Sequence, residues 1–205
     1  SDTIVNPSWG PPVIVSRPFC RVLGRISKEI NFELLLPDET NGRFLMSGGG
    51  GFVGSIQNAF RDKVNDGFAT AGTDTGHQGG GDAKWAYNNM ERQLNFGRLA
   101  VHRTAVVSKA IMENYYCAPP VRSYFAGCSR GGGQAMVEAQ YYPEDFDGIV
   151  AGAPAFAGAA LRCWGAASII DTISSFVNSA IAVSRRGLNR LVLGSDAEIV
   201  LREAP

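Results

Sequence analysis

The segment from Gly127 to Gly131 contains the residues best suited to covalent catalysis. A strand-compatible run, residues 123–126, leads into Gly127-x-Ser129-x-Gly131, and a helix-compatible segment, residues 132–142, follows. A serine on so sharp a strand-to-helix turn presents its hydroxyl as a nucleophile, and glycines two positions away on either side remove steric clashes. The pattern therefore predicts a nucleophilic Ser129. The alternative is a serine that only caps the following helix.

A serine nucleophile also needs N–H groups that stabilise the oxyanion of its tetrahedral intermediate. One donor is expected from the residue after the serine, which is Arg130, and the second from a glycine-rich loop after an early strand. Residues 47–51, Ser-Gly-Gly-Gly-Gly, occupy that position in the chain. A flexible turn would explain the same run, so the loop supports catalysis only in combination with Ser129.

The glycine-rich loop also fits a different type of site. Gly49-x-Gly51-x-x-Gly54 follows a strand, and Asp74 comes about twenty residues later, as in dinucleotide-binding turns. This alternative leaves the motif around Ser129 unexplained. No lysine followed by serine or threonine comes after the glycines, so the loop is not a mononucleotide phosphate loop.

The two histidines, His77 and His102, both precede Ser129. Triads built on such a strand-to-helix turn run serine, acid, histidine along the chain. His102 lies at helical spacing from Leu99 and Val106, which predicts a partly buried structural residue. His77 follows a strand end, where binding residues of open sheets cluster, but it precedes the serine and so stands in the wrong order for the base of such a triad. The sequence thus predicts a nucleophile without an evident base.

The acidic residues give no clear triad member. Asp145 and Asp147 lie between a predicted helix and a predicted strand, where aspartate and glycine favour a turn. Asp171 and Asp196 are interpreted as helix caps or surface charges.

Composition argues against several classes of binding partner. The 205 residues include 19 basic and 19 acidic side chains, which gives no electrostatic reason to expect nucleic acid or an anionic membrane as partner. No apolar run reaches the length of a membrane span, and residues 1–5 lack the pattern of a signal peptide. The cysteines lack Cys-x-x-Cys spacing, so zinc is not expected, and separate disulfides or buried thiols remain as alternatives; they are Cys20, Cys117, Cys128 and Cys163. We expect no metal or cofactor in this chain.

The hydrophobic pattern alternates strands with helices, which predicts an α/β architecture with a mostly parallel sheet and helices on both faces. The predicted strands are residues 20–26, 30–36, 43–46, 68–71, 123–126 and 148–152. The predicted helices are residues 55–65, 95–116, 132–142, 169–183 and 195–203.

Cys128 directly before Ser129 makes the motif resemble the tannase and feruloyl esterase family. Residues 41–44, 47–55, 73–77 and 142–154 resemble that family in order and spacing. The resemblance implies an α/β-hydrolase fold. It also implies a secreted or periplasmic serine esterase that hydrolyses small or plant-polysaccharide-linked esters of aromatic acids, such as feruloyl, galloyl or chlorogenic esters, through an acyl-enzyme.

The resemblance also implies roles for individual residues. Ser129 would be the nucleophile, and the backbone N–H groups of Arg130 and Gly51 would form the oxyanion hole. Cys128 would form a disulfide to a cysteine directly after the catalytic histidine, but the chain has no His-Cys pair. The triad acid, that histidine and a structural calcium site in an inserted lid are accordingly expected after residue 205, and the partner of Cys20 before residue 1.

We therefore expect residues 1–160 to be the N-terminal part of an α/β-hydrolase domain with an incomplete core. Residues 161–205 would begin the lid insertion, and the isolated chain would have little activity. The alternative is a relative without catalytic activity that binds aromatic esters or a partner.

Overall fold

The computed structural model describes residues 2–4, 13–155 and 180–184. The strands are β1 Asp2–Ile4, β2 Val13–Val15, β3 Phe19–Ile26, β4 Ile30–Pro37, β5 Arg43–Ser47, β6 Ala69–Thr73, β7 Arg122–Cys128, β8 Gly148–Gly152 and β9 Ala180–Ser184. The α-helices are α1 Met90–Leu94, α2 Ala100–Tyr116 and α3 Arg130–Tyr141. Short 3₁₀ helices span Arg61–Asp66 and Lys84–Ala86, and a π-helical turn spans Asn95–Leu99.

A seven-stranded mixed sheet, in the order β3-β4-β6-β5-β7-β8-β9, organises the molecule. Strand β5 pairs in parallel with β6 and β7, and β7 pairs in parallel with β8. The pairs β3-β4, β4-β6 and β8-β9 are antiparallel, so β4 and β9 run against the other five strands. This is the mostly parallel sheet predicted from the sequence, and the carboxyl ends of β5, β6, β7 and β8 meet at one edge.

One face of the sheet packs on α2 and α3. Alternate residues of β4 and β5 point toward these helices, because successive strand side chains point to opposite faces. The buried side chains of this cluster include Phe32, Leu34, Leu36, Phe44, Met46, Ala105, Met112, Phe125 and Ala135. Burial of the larger of these side chains, each contributing about 1.5–3 kcal/mol, holds the two helices against the sheet.

The opposite face is covered by β2 and the 3₁₀ helix, whose Val15 and Val64 pack on Leu35. The predicted helix over residues 55–65 is wrong, since only Arg61–Asp66 is helical. In the segment before it, which consists mainly of turns, Gln57 forms an isolated bridge with Thr73 of β6. This contact is so close that a Cβ on Gly72 would lie 2.0 Å from the Gln57 carbonyl oxygen. Tertiary packing therefore overrides the local helical pattern.

The C-terminal part differs from the prediction in one respect. Residues 180–183 were assigned to a helix, but Ala180–Ser184 pairs with β8 as an antiparallel strand. Its Ile181 and Val183 alternate with smaller residues, which suits a strand. The remaining predicted helical segments, Cys163 and the boundary at residues 160/161 lie outside the described residues, and that boundary stays a prediction.

A buried acidic group lies where α3 ends and the chain turns into β8. Glu138 of α3 is 1% exposed, and Asp145 in the turn is 8% exposed. Burial, and then the neighbouring Asp145 carboxyl, raise the pKa of Glu138 to about 9. Glu138 is therefore protonated in the folded protein at neutral pH but ionised in the unfolded chain.

We expect Glu138→Gln to change the pH dependence of stability. A raised carboxyl pKa stabilises the fold below the unfolded value, about 4.5, and this contribution is lost as the pH rises toward 9. The free energy of unfolding of the wild type should therefore fall relative to the variant between pH 5 and 9, by up to about 1.4 kcal/mol per pH unit. Urea titrations at several pH values measure this difference.

The matched control is Glu113→Gln, because Glu113 is an exposed carboxyl on α2. Parallel stability profiles of the wild type and Glu138→Gln over this pH range would contradict the assignment of a neutral Glu138.

Candidate active site

Ser129 joins β7 to α3 in a strained backbone conformation. Its φ is +58° and its ψ is −117°, a region that side-chain-bearing residues rarely adopt. The residue is exposed, at the sheet edge where the carboxyl ends of the parallel strands meet. Such an outlier costs about 1–3 kcal/mol and is kept where the surrounding structure enforces it. The predicted sharp turn is therefore present.

Glycines permit three backbone segments to meet at this turn. A Cβ on Gly127 would lie 2.5 Å from the carbonyl carbon of Gly131, and one on Gly48 would lie 2.7 Å from the Gly131 Cα. On Gly132, a Cβ would lie 2.2 Å from the Gly152 carbonyl oxygen. Real Cβ atoms essentially never come so close to backbone. The loop after β5 thus packs directly on the first turn of α3, as the oxyanion-hole prediction requires.

Hydrogen bonds fix the backbone of Ser129 to the end of β8. The Ser129 N–H donates to the Gly152 carbonyl at 3.0 Å, and the Ala155 N–H donates to the Ser129 carbonyl at 2.8 Å. The Gly133 N–H also donates to the Ser129 carbonyl, at 3.1 Å. Neither backbone group of the serine is left without a partner, which explains how the strained conformation is retained.

Two glutamines hold the glycine loop, and the sequence analysis predicted neither of them. The Gly49 N–H donates to Gln134 Oε1 at 3.0 Å, and the Gly50 N–H donates to Gln57 Oε1 at 2.7 Å. Gln134 lies on α3, one turn after Ser129, so its spacing from the serine is the one signal that could have suggested it. The N–H of Gly51, next along the loop, donates to no atom of the described residues.

His77 is enclosed beside the glycine loop. The side chain is fully buried and its ring stacks on Trp85, with 3.6 Å between ring centroids. Its Nε2 lies 2.8 Å from the Phe52 carbonyl oxygen, so this nitrogen carries the proton and donates. Burial lowers the pKa of His77, which keeps the ring neutral. The ring is thus enclosed by Trp85 and hydrogen-bonded to the Phe52 carbonyl, and within the described residues no hydrogen bond joins it to Ser129.

His102 is the structural residue that its helical spacing predicts. Its Nδ1 lies 2.6 Å from Asp145 Oδ2, and its ring stacks on Tyr142 at 3.9 Å between centroids. Asp147 accepts from the Ser123 N–H at 2.8 Å, so both aspartates belong to the predicted turn before β8. In the part of the chain that the structure describes, neither histidine forms a hydrogen bond with Ser129.

The side chain of Arg130 turns away from Ser129 toward the π-helical turn. Its guanidinium lies over the Phe96 ring, 4.2 Å from the centroid, and Nη2 donates to the Phe96 carbonyl at 2.5 Å. Burial lowers the pKa of Arg130, although an arginine still keeps its charge at neutral pH. The backbone N–H of Arg130 remains at the first position of α3, where helical N–H groups have no intrahelical partner.

Asp74 does not fit the dinucleotide alternative. Its carboxylate accepts from Asn31 Nδ2 at 2.6 Å, the Gly76 N–H at 2.8 Å and Gln78 Nε2 at 2.8 Å. The side chain is 1% exposed, so it is committed to holding its own loop. The helix that should follow the glycines of a dinucleotide turn is also missing from residues 55–60.

Cys128 is exposed directly before Ser129, and Cys20, Cys117 and Cys128 are free thiols within the described part of the chain. In the same part of the chain, no group of three or more His, Cys, Asp or Glu side chains could hold a metal ion. No helix there is both long and apolar enough for a membrane crossing.

Comparison with known proteins connects this geometry to a family. The family described as "Tannase and feruloyl esterase" matches residues 13–186. The chain belongs to the tannase and feruloyl esterase family. Among its relatives, a "Probable feruloyl esterase" of Arthroderma benhamiae is 48% identical over 131 residues, 60% of this chain and 24% of that protein. A "Probable feruloyl esterase B-1" of Aspergillus oryzae is 38% identical over 160 residues, 76% of this chain and 29% of that protein.

Solved structures agree with this family membership. The crystal structure of feruloyl esterase B from Aspergillus oryzae has a TM-score of 0.68 and 36% identity, covering 75% of this chain and 32% of that one. Tannin acyl hydrolase from Aspergillus niger, with a TM-score of 0.59 and 24% identity, shares the fold. The α/β-hydrolase fold expected from the family is thereby confirmed. The chain spans less than a third of the length of these relatives.

The strain at Ser129 leads to a prediction about stability. Replacing Ser129 by glycine should relieve the positive φ, whereas Ser129→Ala keeps the strain and removes the same hydroxyl. We expect Ser129→Gly to be more stable than Ser129→Ala by about 1 kcal/mol, or roughly 2–4 °C in Tm for a chain of this size. Thermal unfolding of the two variants tests the difference. Equal melting temperatures would show that the serine conformation carries no strain.

Proposed function

We propose that this chain carries the nucleophile and oxyanion hole of a serine carboxylic ester hydrolase acting on esters of aromatic acids. The observation that carries the proposal is the strained, exposed Ser129 at the carboxyl edge of the sheet, with the glycine loop packed on the helix that follows. The aromatic acid is inferred from the names of the relatives, which are feruloyl esterases.

In the proposed mechanism, Ser129 Oγ attacks the ester carbonyl carbon while a base takes the hydroxyl proton. The alcohol then leaves with a proton, and water attacks the acyl-enzyme to release the acid. The N–H groups of Gly51 and Arg130 donate to the oxyanion. Support comes from the loop itself, where the Gly49 and Gly50 amides are held by glutamines and the Gly51 amide is not engaged.

The base and the acid of the triad are proposed to come from the part of the relatives' length that this chain does not span. The contacts of the two histidines support this proposal, because His77 is hydrogen-bonded to the Phe52 carbonyl and His102 to the Asp145 carboxylate, not to Ser129. A lid with a structural calcium ion and secretion of the enzyme belong to the same proposal.

We expect Ser129→Ala to abolish hydrolysis of methyl ferulate by the full-length protein. Loss of the nucleophile should lower kcat by roughly 10⁴- to 10⁶-fold, with little change in stability. The matched control is Ser123→Ala, because Ser123 lies buried on the same strand, β7. Stopped-flow kinetics should show a burst of ferulate-ester cleavage in the control and none in the Ser129 variant.

Two outcomes would contradict the proposed function. A wild type that binds methyl ferulate without turnover would favour the non-catalytic alternative. Hydrolysis that survives in Ser129→Ala would move the nucleophile elsewhere.

The proposed disulfide of Cys128 has its own test. If Cys128 ties the nucleophile to the catalytic histidine, Cys128→Ser in the full-length protein should lower both kcat and Tm, because the bridge holds two distant segments together. Cys117→Ser is the control, since Cys117 is also exposed but lies at the end of α2. Peptide mapping without reduction should find Cys128 linked to a cysteine that follows a histidine. Recovery of Cys128 as a free thiol would contradict the bridge.

A further inference from the structure

The two proposed oxyanion donors belong to different segments, so their separation depends on what connects those segments. Gly51 lies in the loop after β5, and Arg130 begins α3. An oxyanion hole acts only when its donors keep a fixed geometry of about 2.7–3.1 Å to the developing charge. Side chains near both donors form a continuous chain of contacts between them.

The first part of this chain of contacts starts at Phe52, directly after Gly51. The Phe52 carbonyl accepts from His77 Nε2 at 2.8 Å, and His77 is fully buried against Trp85. A neutral imidazole that donates from Nε2 has no proton on Nδ1, and Nδ1 has no partner among the described residues. The ring is therefore oriented by its single hydrogen bond and by stacking.

The second part runs from His77 to Arg130 through Phe96. The Phe96 ring meets the rings of His77, Trp85 and Phe52 at centroid distances of 5.7, 4.9 and 6.5 Å. The Arg130 guanidinium lies over the Phe96 ring, 4.2 Å from its centroid. Cation–π contacts of this kind are attractive, and more strongly so when they are shielded from water.

The π-helical turn explains why Phe96 can accept from Arg130. In an α-helix the Ala100 N–H would donate to the carbonyl four residues earlier, which is that of Phe96. Here it donates to Asn95, five residues earlier. The Phe96 carbonyl consequently does not accept from the Ala100 N–H, and it accepts instead from Arg130 Nη2 at 2.5 Å. Single π turns of this type occur frequently at functional sites.

We propose that His77 and the side chain of Arg130 are positioning residues, which hold the Gly51 and Arg130 N–H groups at a fixed separation through Phe96. This inference rests on the proposed function, because the two N–H groups matter only if they bind an oxyanion. It gives the buried His77 and the partly buried Arg130 side chain one shared role, in which neither touches the substrate.

The test uses His77→Leu and Arg130→Met in the full-length protein, with methyl ferulate as substrate and phenylboronic acid as probe. Ser129 Oγ adds to boron while the base takes the hydroxyl proton, which gives a tetrahedral boronate anion, and one oxygen of this anion reports on the oxyanion hole. Each variant should lower kcat by roughly 10- to 100-fold and weaken boronate inhibition by a similar factor, with KM changed less than about twofold. Burst titration restricts the comparison to active molecules.

Conservative variants separate positioning from general stability. His77→Gln keeps an N–H donor toward Phe52, so it should recover more kcat than His77→Leu. Arg130→Lys keeps the charge but lacks the planar fork, so it should behave like Arg130→Met. His102→Gln is the matched histidine control, because His102 contacts Asp145 and Tyr142, away from these contacts. It should leave boronate affinity unchanged.

The double variant His77→Leu/Arg130→Met tests whether the two residues act together. Because both would hold one geometry, the double loss should be close to the larger single loss rather than the product of the two. If either single variant fails to fold, Phe96→Leu takes its place, because it removes the aromatic ring and keeps the backbone. We expect it to lower kcat by a similar factor.

The outcomes distinguish the two proposals. The positioning role alone would be overturned if the wild type is active and the variants have a lower Tm but keep kcat and boronate affinity per active molecule. It would also be overturned if the loss of kcat in the double variant equals the product of the two single losses. The proposed function would be overturned if the wild type shows no Ser129-dependent hydrolysis and binds no boronate. The positioning role would then be overturned as well.

Discussion

The approach of three backbone segments around Ser129 is the constraint on which the rest of this structure depends. The end of β7, the first turn of α3 and the loop after β5 meet where a Cβ on Gly48 or Gly127 would collide with the backbone of Gly131. Because interiors are close-packed, such a contact leaves few alternative arrangements for the chain. It forces the positive φ of Ser129 and brings the glycine loop beside the serine. The sheet and the helix packing supply the stability that this strained junction requires.

Further contacts hold the glycine loop and the backbone of Ser129 in fixed positions. Gln134 and Gln57 bind the amides of Gly49 and Gly50, while the end of β8 binds both backbone groups of Ser129. On the other side, the aromatic cluster connects the glycine loop to the Arg130 side chain. Preorganised donors stabilise charge without having to reorient during the reaction, so rigidity here is consistent with the chemistry of an esterase.

Much of this arrangement could be predicted, because it depends on local patterns. The strand, the glycines and the helix around Ser129 are neighbours in the sequence. The helical spacing that predicts a structural role for His102 also involves residues of one short segment. The helix predicted over residues 55–65 failed because Gln57 pairs with Thr73, sixteen residues away in a different element. The strand at Ala180–Ser184 was missed because only pairing with β8 distinguishes its apolar residues from a helical pattern.

The sequence by itself determined the turn at Ser129, the alternation of strands and helices, and the family resemblance carried by Cys128. All three are encoded by neighbouring residues. Only the tertiary structure decided that His77 is enclosed by Trp85 and bonded to Phe52, and that Arg130 points toward Phe96. These contacts join residues that are 8 to 34 positions apart. The physical reason is that a side chain's partners are set by the folded path of the backbone, which spacing along one segment does not specify.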